Sequence, residues 1–149
     1  MGEKKIDLED FLDIMMKENA SDLYFKVGSV PRIRTGKGVQ PISDKNISSA
    51  DMKLLSQKIM NDGQREIFQK HKELDLAYNS PNLGRFRVNI FLQKGEMGMV
   101  LREVKKDIRT FEELNLPSKI LQKLSLEPRG LVLVTGPAGC GKSTTLASM

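Results

Sequence analysis

Eight residues near the C-terminal end, Gly136-Pro137-Ala138-Gly139-Cys140-Gly141-Lys142-Ser143, set the narrowest limit on what this chain can fold into. Glycines at the first, fourth and sixth places let the backbone curl until several amide N–H groups point at one centre, which suits a phosphate. Such a loop needs a strand before it and a helix after it. The sequence offers an unalternating apolar run at 131–135, as buried parallel strands use, and a helix-prone segment at 144–149. The expected ligand is ATP with Mg²⁺. Lys142 then sets its ammonium against the β- and γ-phosphates, Ser143 offers a hydroxyl to Mg²⁺, and Thr144 makes a supporting phosphate contact. The backbone of Gly136, Pro137, Ala138, Gly139, Cys140 and Gly141 closes the cradle, helped by the positive end of the following helix.

Upstream of the loop the chain reads as a separate α+β domain. Leu8, Phe11, Leu12, Met15 and Met16 form a one-sided helical stripe, with Asp7 placed to cap it. Residues 22–27 alternate Leu23, Phe25 and Val27 against Tyr24 and Lys26, and two short extended runs follow, punctuated by glycines, as in an antiparallel meander. Met52, Leu55 and Ile59 restore helical spacing between 48 and 61, Gly63 suits a helix end, and a shorter helix with Ile67 and Phe68 follows. From 74 to 104 the pattern is again strand-like. Phe86, Val88, Ile90 and Leu92 face a core while Arg85, Arg87, Asn89 and Phe91 face away, in a second antiparallel set of three strands.

A boundary belongs after Val104. The expected division is an antiparallel sheet with helices at 1–104, a linker with short helices at 105–130 opening on Lys105-Lys106-Asp107, and the start of an α/β nucleotide-binding domain at 131–149. Within the linker, Thr110 and Glu113 have capping-box spacing, and Pro117 suits the first turn of a helix carrying Ile120, Leu121 and Leu124.

Composition narrows the function. With 39% apolar and 29% charged residues the chain has the balance of a globular protein. One cysteine and one histidine exclude a zinc site built from these residue types. No apolar run reaches the roughly 20 residues of a membrane-spanning helix, and the N-terminus lacks signal-peptide features, so the cytoplasm is expected. A net charge of +5 favours anionic partners. Without Trp or a long Lys/Arg run, nucleic acid is not expected among them.

The stretch from Gly130 through the loop to Ala147, with Ala20-Ser21-Asp22-Leu23, Gly28, Pro31-Arg32, Gly84-Arg85-Phe86-Arg87-Val88-Asn89 and Gly98-Met99-Val100-Leu101-Arg102-Glu103, resembles the secretion ATPases that power type IV pili and type II secretion. Within them it is most similar to the twitching-motility, or retraction, ATPases of the PilT and PilU type. The Gly98 to Arg102 run and Leu114 to Pro117 lean towards the PilU type. The resemblance implies a PAS-like N-terminal domain, a mobile linker and a RecA-like ATPase domain, assembled as a homohexamer in which hydrolysis moves the two domains. It also implies a place at the cytoplasmic face of the inner membrane, with peripheral association through partners such as the pilus platform protein.

In similar ATPases first-domain arginines reach the γ-phosphate, which makes Arg85, Arg87 and Arg102 candidate sensors; the plain alternative is a solvated strand face. The sequence departs from the family at Tyr24, where His is common, and at Ala138 and Cys140, where Thr and Ser are. The carboxylate that would activate water is not among these residues, so a truncated, inactive ATPase domain is expected, with a 131–135 stretch that is frayed or pairs abnormally with the first domain. Assembly or type II secretion motors remain alternatives. So does a non-catalytic oligomerisation or docking module using Lys26, Arg32, Arg34 and Lys37.

Overall fold

The computed structural model describes residues 6–105, 108–137 and 139–149. Lys106 and Asp107 of the expected linker, and Ala138 of the loop, lie outside the described residues. The chain divides into two compact units, Met1–Val104 and Lys105–Met149.

The first unit opens with helix α1 (Leu8–Lys17), whose N-cap Asp7 accepts from the Glu9 amide. Its apolar residues recur three and four places apart, so Leu8, Leu12 and Met15 share one face and are fully buried. Phe11 lies at the margin with its ring edge-on to Phe25, centroids 5.2 Å apart. Strands β1 (Asp22–Lys26), β2 (Arg32–Thr35) and β3 (Gly38–Pro41) form the expected meander. Helix α2 (Ser49–Ile59) begins at a reciprocal capping box between Ser48 and Asp51.

Gly63 does not end that helix. The chain leaves α2 at Met60 and restarts at once, because Asn61 and Gln64 form a second capping box for α3 (Asp62–His71), which takes Gly63 into its first turn. Of the apolar pair expected on α3, Phe68 is buried but Ile67 is turned outwards and 48% exposed. Adjacent positions on a helix are about 100° apart, so one narrow contact face cannot hold both.

Strands β4 (Glu73–Ser80), β5 (Gly84–Gln93) and β6 (Glu96–Val104) follow as consecutive hairpins. They do not stand as a separate set. β1 pairs antiparallel with β6, Asp22 opposite Arg102 through Lys26 opposite Gly98, and fuses the two groups into one six-stranded sheet ordered β3-β2-β1-β6-β5-β4. Leu23, Phe25, Ile33, Phe86, Val88, Ile90, Met99 and Leu101 point to one face and share a core with the buried residues of α1, α2 and α3. Each fully buried side chain of this size stabilises the fold by about 1.5–3 kcal/mol. Leu92, on the same alternation, is 41% exposed because it sits beside the β5–β6 turn, at the margin of the core. The other face is polar and carries Arg85, Arg87 and Arg102.

A carboxylate fastens α1 to the outermost strand β4. Glu9 accepts from Tyr78 Oη at 2.9 Å and from Ser80 Oγ at 2.6 Å. Burial first, and then the bond to the Glu9 carboxylate, push the Tyr78 hydroxyl up to about 12. A raised phenol favours folding below its unfolded value near 10 and loses that contribution as pH rises towards 12. Tyr78→Phe is therefore expected to cost about 1 kcal/mol at neutral pH and to flatten the alkaline arm of stability. Urea unfolding across that range checks it.

In the second unit Thr110 and Glu113 bond reciprocally, amide to side chain, at 2.9 and 3.2 Å. The box closes a run of turns and not a helix, since Asn115 takes a left-handed φ of 54°. Helix α4 (Ser118–Ser125) starts one residue later than expected, with Pro117 as its N-cap, and leaves Ile120 62% exposed. The apolar run at 131–135 is unpaired, as expected of a frayed stretch: Leu131 and Leu133 are exposed and no ladder is formed there. A parallel strand takes its hydrogen bonds from neighbouring strands, and among the described residues none lies beside this one. Helix α5 (Lys142–Ser148) follows the glycine loop and is tied back by Ser148 Oγ donating to the Arg109 carbonyl at 2.8 Å.

Candidate functional site

The sequence-predicted residues fall into two groups, one in each unit. Gly136, Gly139 and Gly141 have φ of 152°, 81° and 95°, a region costly to any side chain with a Cβ. Gly136 is constrained twice over, because a Cβ there would meet Cys140 Sγ at 2.7 Å. The glycines turn the chain back on itself so that Lys142, first residue of α5, reaches across the loop and donates from Nζ to the carbonyls of Gly136 at 2.9 Å and Pro137 at 2.6 Å. The ammonium is thereby held inside the curl, and a phosphate oxygen would replace carbonyl oxygens as its acceptor. Ser143 and Thr144 border a depression of about 430 Å³ with Arg109 and Ala147. Thr145, one place on, donates from Oγ1 to the Gly141 carbonyl at 3.1 Å and braces the start of the helix. The curl, the ammonium and the hydroxyls of Ser143 and Thr144 are chemically suited to a nucleotide phosphate with its magnesium ion. Among the described residues no cluster of three His, Cys, Asp or Glu side chains suits a metal on its own.

The arginine group lies on the polar face of the sheet. Arg87 and Arg102 are direct cross-strand partners on β5 and β6, and Arg85 stands one row further along, between Asn79 and Val104. Two guanidinium groups side by side repel unless something neutralises them. Each has its own carboxylate. Arg102 donates from Nε to Asp22 Oδ1 at 2.8 Å, with Nη2 in ion-pair contact with the same oxygen at 2.8 Å. Arg87 donates from Nε to both Asp75 oxygens, at 3.1 and 3.0 Å, and also from Nη2. The guanidinium holds the Asp75 carboxyl below the ordinary carboxylate range, and the carboxylate raises Arg87 in turn. These five residues, Asp22, Asp75, Arg87, Asn89 and Arg102, share a shallow depression of about 440 Å³.

Neither aspartate was identified from the sequence. Asp22 stood in the quoted Ala20-Ser21-Asp22-Leu23 stretch, but its partner is 80 positions away and is set by the β1–β6 register. Alternation on β4 would have placed Asp75 on the arginine face, had the β4–β5 register been known.

Depressed carboxyls also predict an acid response. Asp7 is lowered chiefly by the bond from Lys58, Asp51 by that from Ser48, and Asp75 by that from Arg87. A carboxyl lowered in the folded state adds stability above its unfolded value and gives it up as pH falls through the folded one. Unit 1 is therefore expected to weaken below about pH 4, as acid titration of its urea midpoint would record.

Comparison with known proteins places these features in a family. The model of the type II/IV secretion system protein family matches residues 3–149. The type IV pilus retractation ATPase PilT of Pseudomonas aeruginosa is 40% identical over 144 residues, 97% of this chain and 42% of that protein. The type IV pilus ATPase PilU of the same organism is 38% identical, over 97% of this chain and 37% of its own length. The crystal structure of the pilus retraction motor PilT with bound ADP superposes with a TM-score of 0.85 at 32% identity, covering 97% of this chain and 42% of that one. The chain spans about two-fifths of these relatives, and its antiparallel sheet with helices matches the corresponding part of PilT. With the family model spanning nearly all of it, the chain belongs to the type II/IV secretion system protein family and is homologous to the PilT and PilU twitching-motility ATPases.

Proposed function

We propose that this chain is the N-terminal part of an ATP-driven motor that retracts type IV pili. The observation that carries the reading is the Gly136–Ser143 loop, whose left-handed glycines bring Lys142 into the curl where phosphates would lie. In this reading the backbone of Gly136, Pro137, Ala138, Gly139, Cys140 and Gly141 cradles the phosphates, Lys142 neutralises them, Ser143 meets Mg²⁺ and Thr144 supports. Residues 131–135 become the first strand of a RecA-like domain once the strands that complete its sheet are beside them. Arg85, Arg87 and Arg102 read the γ-phosphate, so that its loss alters the pull between the two domains.

The motor acts as a homohexamer at the cytoplasmic face of the inner membrane, against the pilus platform protein. The present 149 residues lack the water-activating carboxylate of such a site and would hydrolyse ATP negligibly. Retraction is favoured over assembly or secretion because the PilT relative, which matches 97% of the chain, is named for retraction, and a Neisseria gonorrhoeae relative, which matches 80% of it, is named for twitching motility. Deleting the gene separates the readings. Cells that keep surface pili, seen by electron microscopy, and lose twitching support a retraction motor; bald cells would point to assembly, and normally piliated, twitching cells to secretion.

A further inference from the structure

We propose that Asp22 is a positioning residue that fixes Arg102 as the principal phosphate-reading arginine of the three, with Tyr24 keeping Arg34 from competing for it. The inference deepens the preceding reading and rests on it.

Strand register places Asp22 between two guanidinium groups, Arg34 of β2 on one side and Arg102 of β6 on the other. The carboxylate is 3% exposed although it lies on the polar face. A buried carboxylate needs its lone pairs filled, and it binds an arginine far more tightly than a solvated one does. Nε of Arg102 donates to Oδ1 and Nη2 lies in ion-pair contact with the same oxygen, while Oδ2 accepts from Ser21 Oγ at 2.8 Å. Arg34 comes no nearer to Oδ2 than 3.5 Å. Its Nε donates instead to Tyr24 Oη at 2.8 Å, and its guanidinium lies over the Tyr24 ring, 5.7 Å from the centroid. Tyr24 thus draws Arg34, the rival cation opposite Asp22 on β2, away from a close bond to the carboxylate.

Arg102 is thereby pinned by one edge while its side chain stays 66% exposed. A planar fork held in this way is pre-organised to accept an anion on its outer edge without first losing rotamer freedom. Arg87 is less firmly held, because its partner Asp75 is 43% exposed and the pair is screened by water. Arg85 has neither aspartate among its cross-strand partners, which are Asn79 and Val104. The three candidates therefore rank as Arg102, Arg87 and Arg85.

Two measurements test this. In the 149-residue chain, hydrogen exchange at the Arg102 Nε–H, followed by NMR, is expected to be at least about tenfold slower than at Arg85, and to speed up to the Arg85 rate in Asp22→Asn. In the longer ATPase, Arg102→Ala and Asp22→Asn should each lower kcat about tenfold or more with the KM for ATP little changed, and the double variant should be no slower than Arg102→Ala alone. Tyr24→Phe, which leaves Asp22 in place, should give a smaller loss of kcat, and Arg34→Ala combined with it should restore the rate.

Additive effects of Asp22→Asn and Arg102→Ala, a larger loss from Arg85→Ala than from Arg102→Ala, or equal Nε exchange at the two arginines would each overturn the proposal. Wild-type turnover in all three arginine variants would defeat the phosphate-sensing reading with it. A damaging Arg102→Ala beside an innocuous Asp22→Asn would defeat this inference alone.

Discussion

Lys142→Ala in the longer ATPase is expected to lower ATP turnover by about 10²–10³-fold, the loss seen when a pre-organised charge at a transferring group is removed. Lys142 has two tasks in the structure, since its Nζ also holds the carbonyls of Gly136 and Pro137 and so the shape of the loop. A companion variant separates them. Lys142→Gln retains an amide that can donate to those carbonyls but carries no charge, so a loss as large as that of Lys142→Ala assigns the effect to charge. Equilibrium binding of a fluorescent ADP analogue should fall in parallel. If both variants bind and turn over ATP like the parent, the loop is not a phosphate cradle.

Phe86→Ala is expected to destabilise the first unit by about 3–5 kcal/mol, the cost of emptying an aromatic site in a packed core. Phe86 is fully buried on β5, among the core residues of the sheet. A domain of this size holds about 5–15 kcal/mol in all, so the variant should sit near the edge of unfolding. Ile67→Ala supplies the contrast. Its side chain is half exposed on the outer side of α3, and it should shift the urea midpoint by no more than about 0.5 kcal/mol in equivalent stability. Equal effects from the two would mean that the core lies elsewhere.

How much of this could be read beforehand follows the distance over which each feature is determined. The α1 stripe, its Asp7 cap and the alternation of Phe86, Val88 and Ile90 are set by residues within one or two turns or a single strand, and they appear in the structure as the pattern implies. The glycine loop was legible for the same reason, being contiguous. Gly63 misled because a glycine near a helix boundary fits the end of one helix as well as the first turn of the next; the Asn61–Gln64 box decided it. Ile67 and Leu92 obey the local period, and what exposes them is the limited extent of the partner surface, which no local pattern encodes. The residues at 131–135 carry strand propensity, yet a ladder requires a neighbour as well as a propensity. Asp22 is the clearest case. Its identity was in plain view, but its chemistry follows from the strand that lies beside β1.

That same pairing has a consequence for synthesis on the ribosome. β1 is made early, yet the strand that completes its inner edge ends 80 positions later, at the level of Arg102 opposite Asp22. At ordinary elongation rates of about 5–20 residues per second, the β1–β2–β3 meander, complete at Pro41, waits about 3–12 s with an open edge. During that interval α1 is the cover already made, and Leu8, Leu12 and Met15 can shield Leu23 and Phe25 before any β6 exists. The N-terminal helix therefore keeps that apolar face from water while the β1 edge still awaits its partner strand.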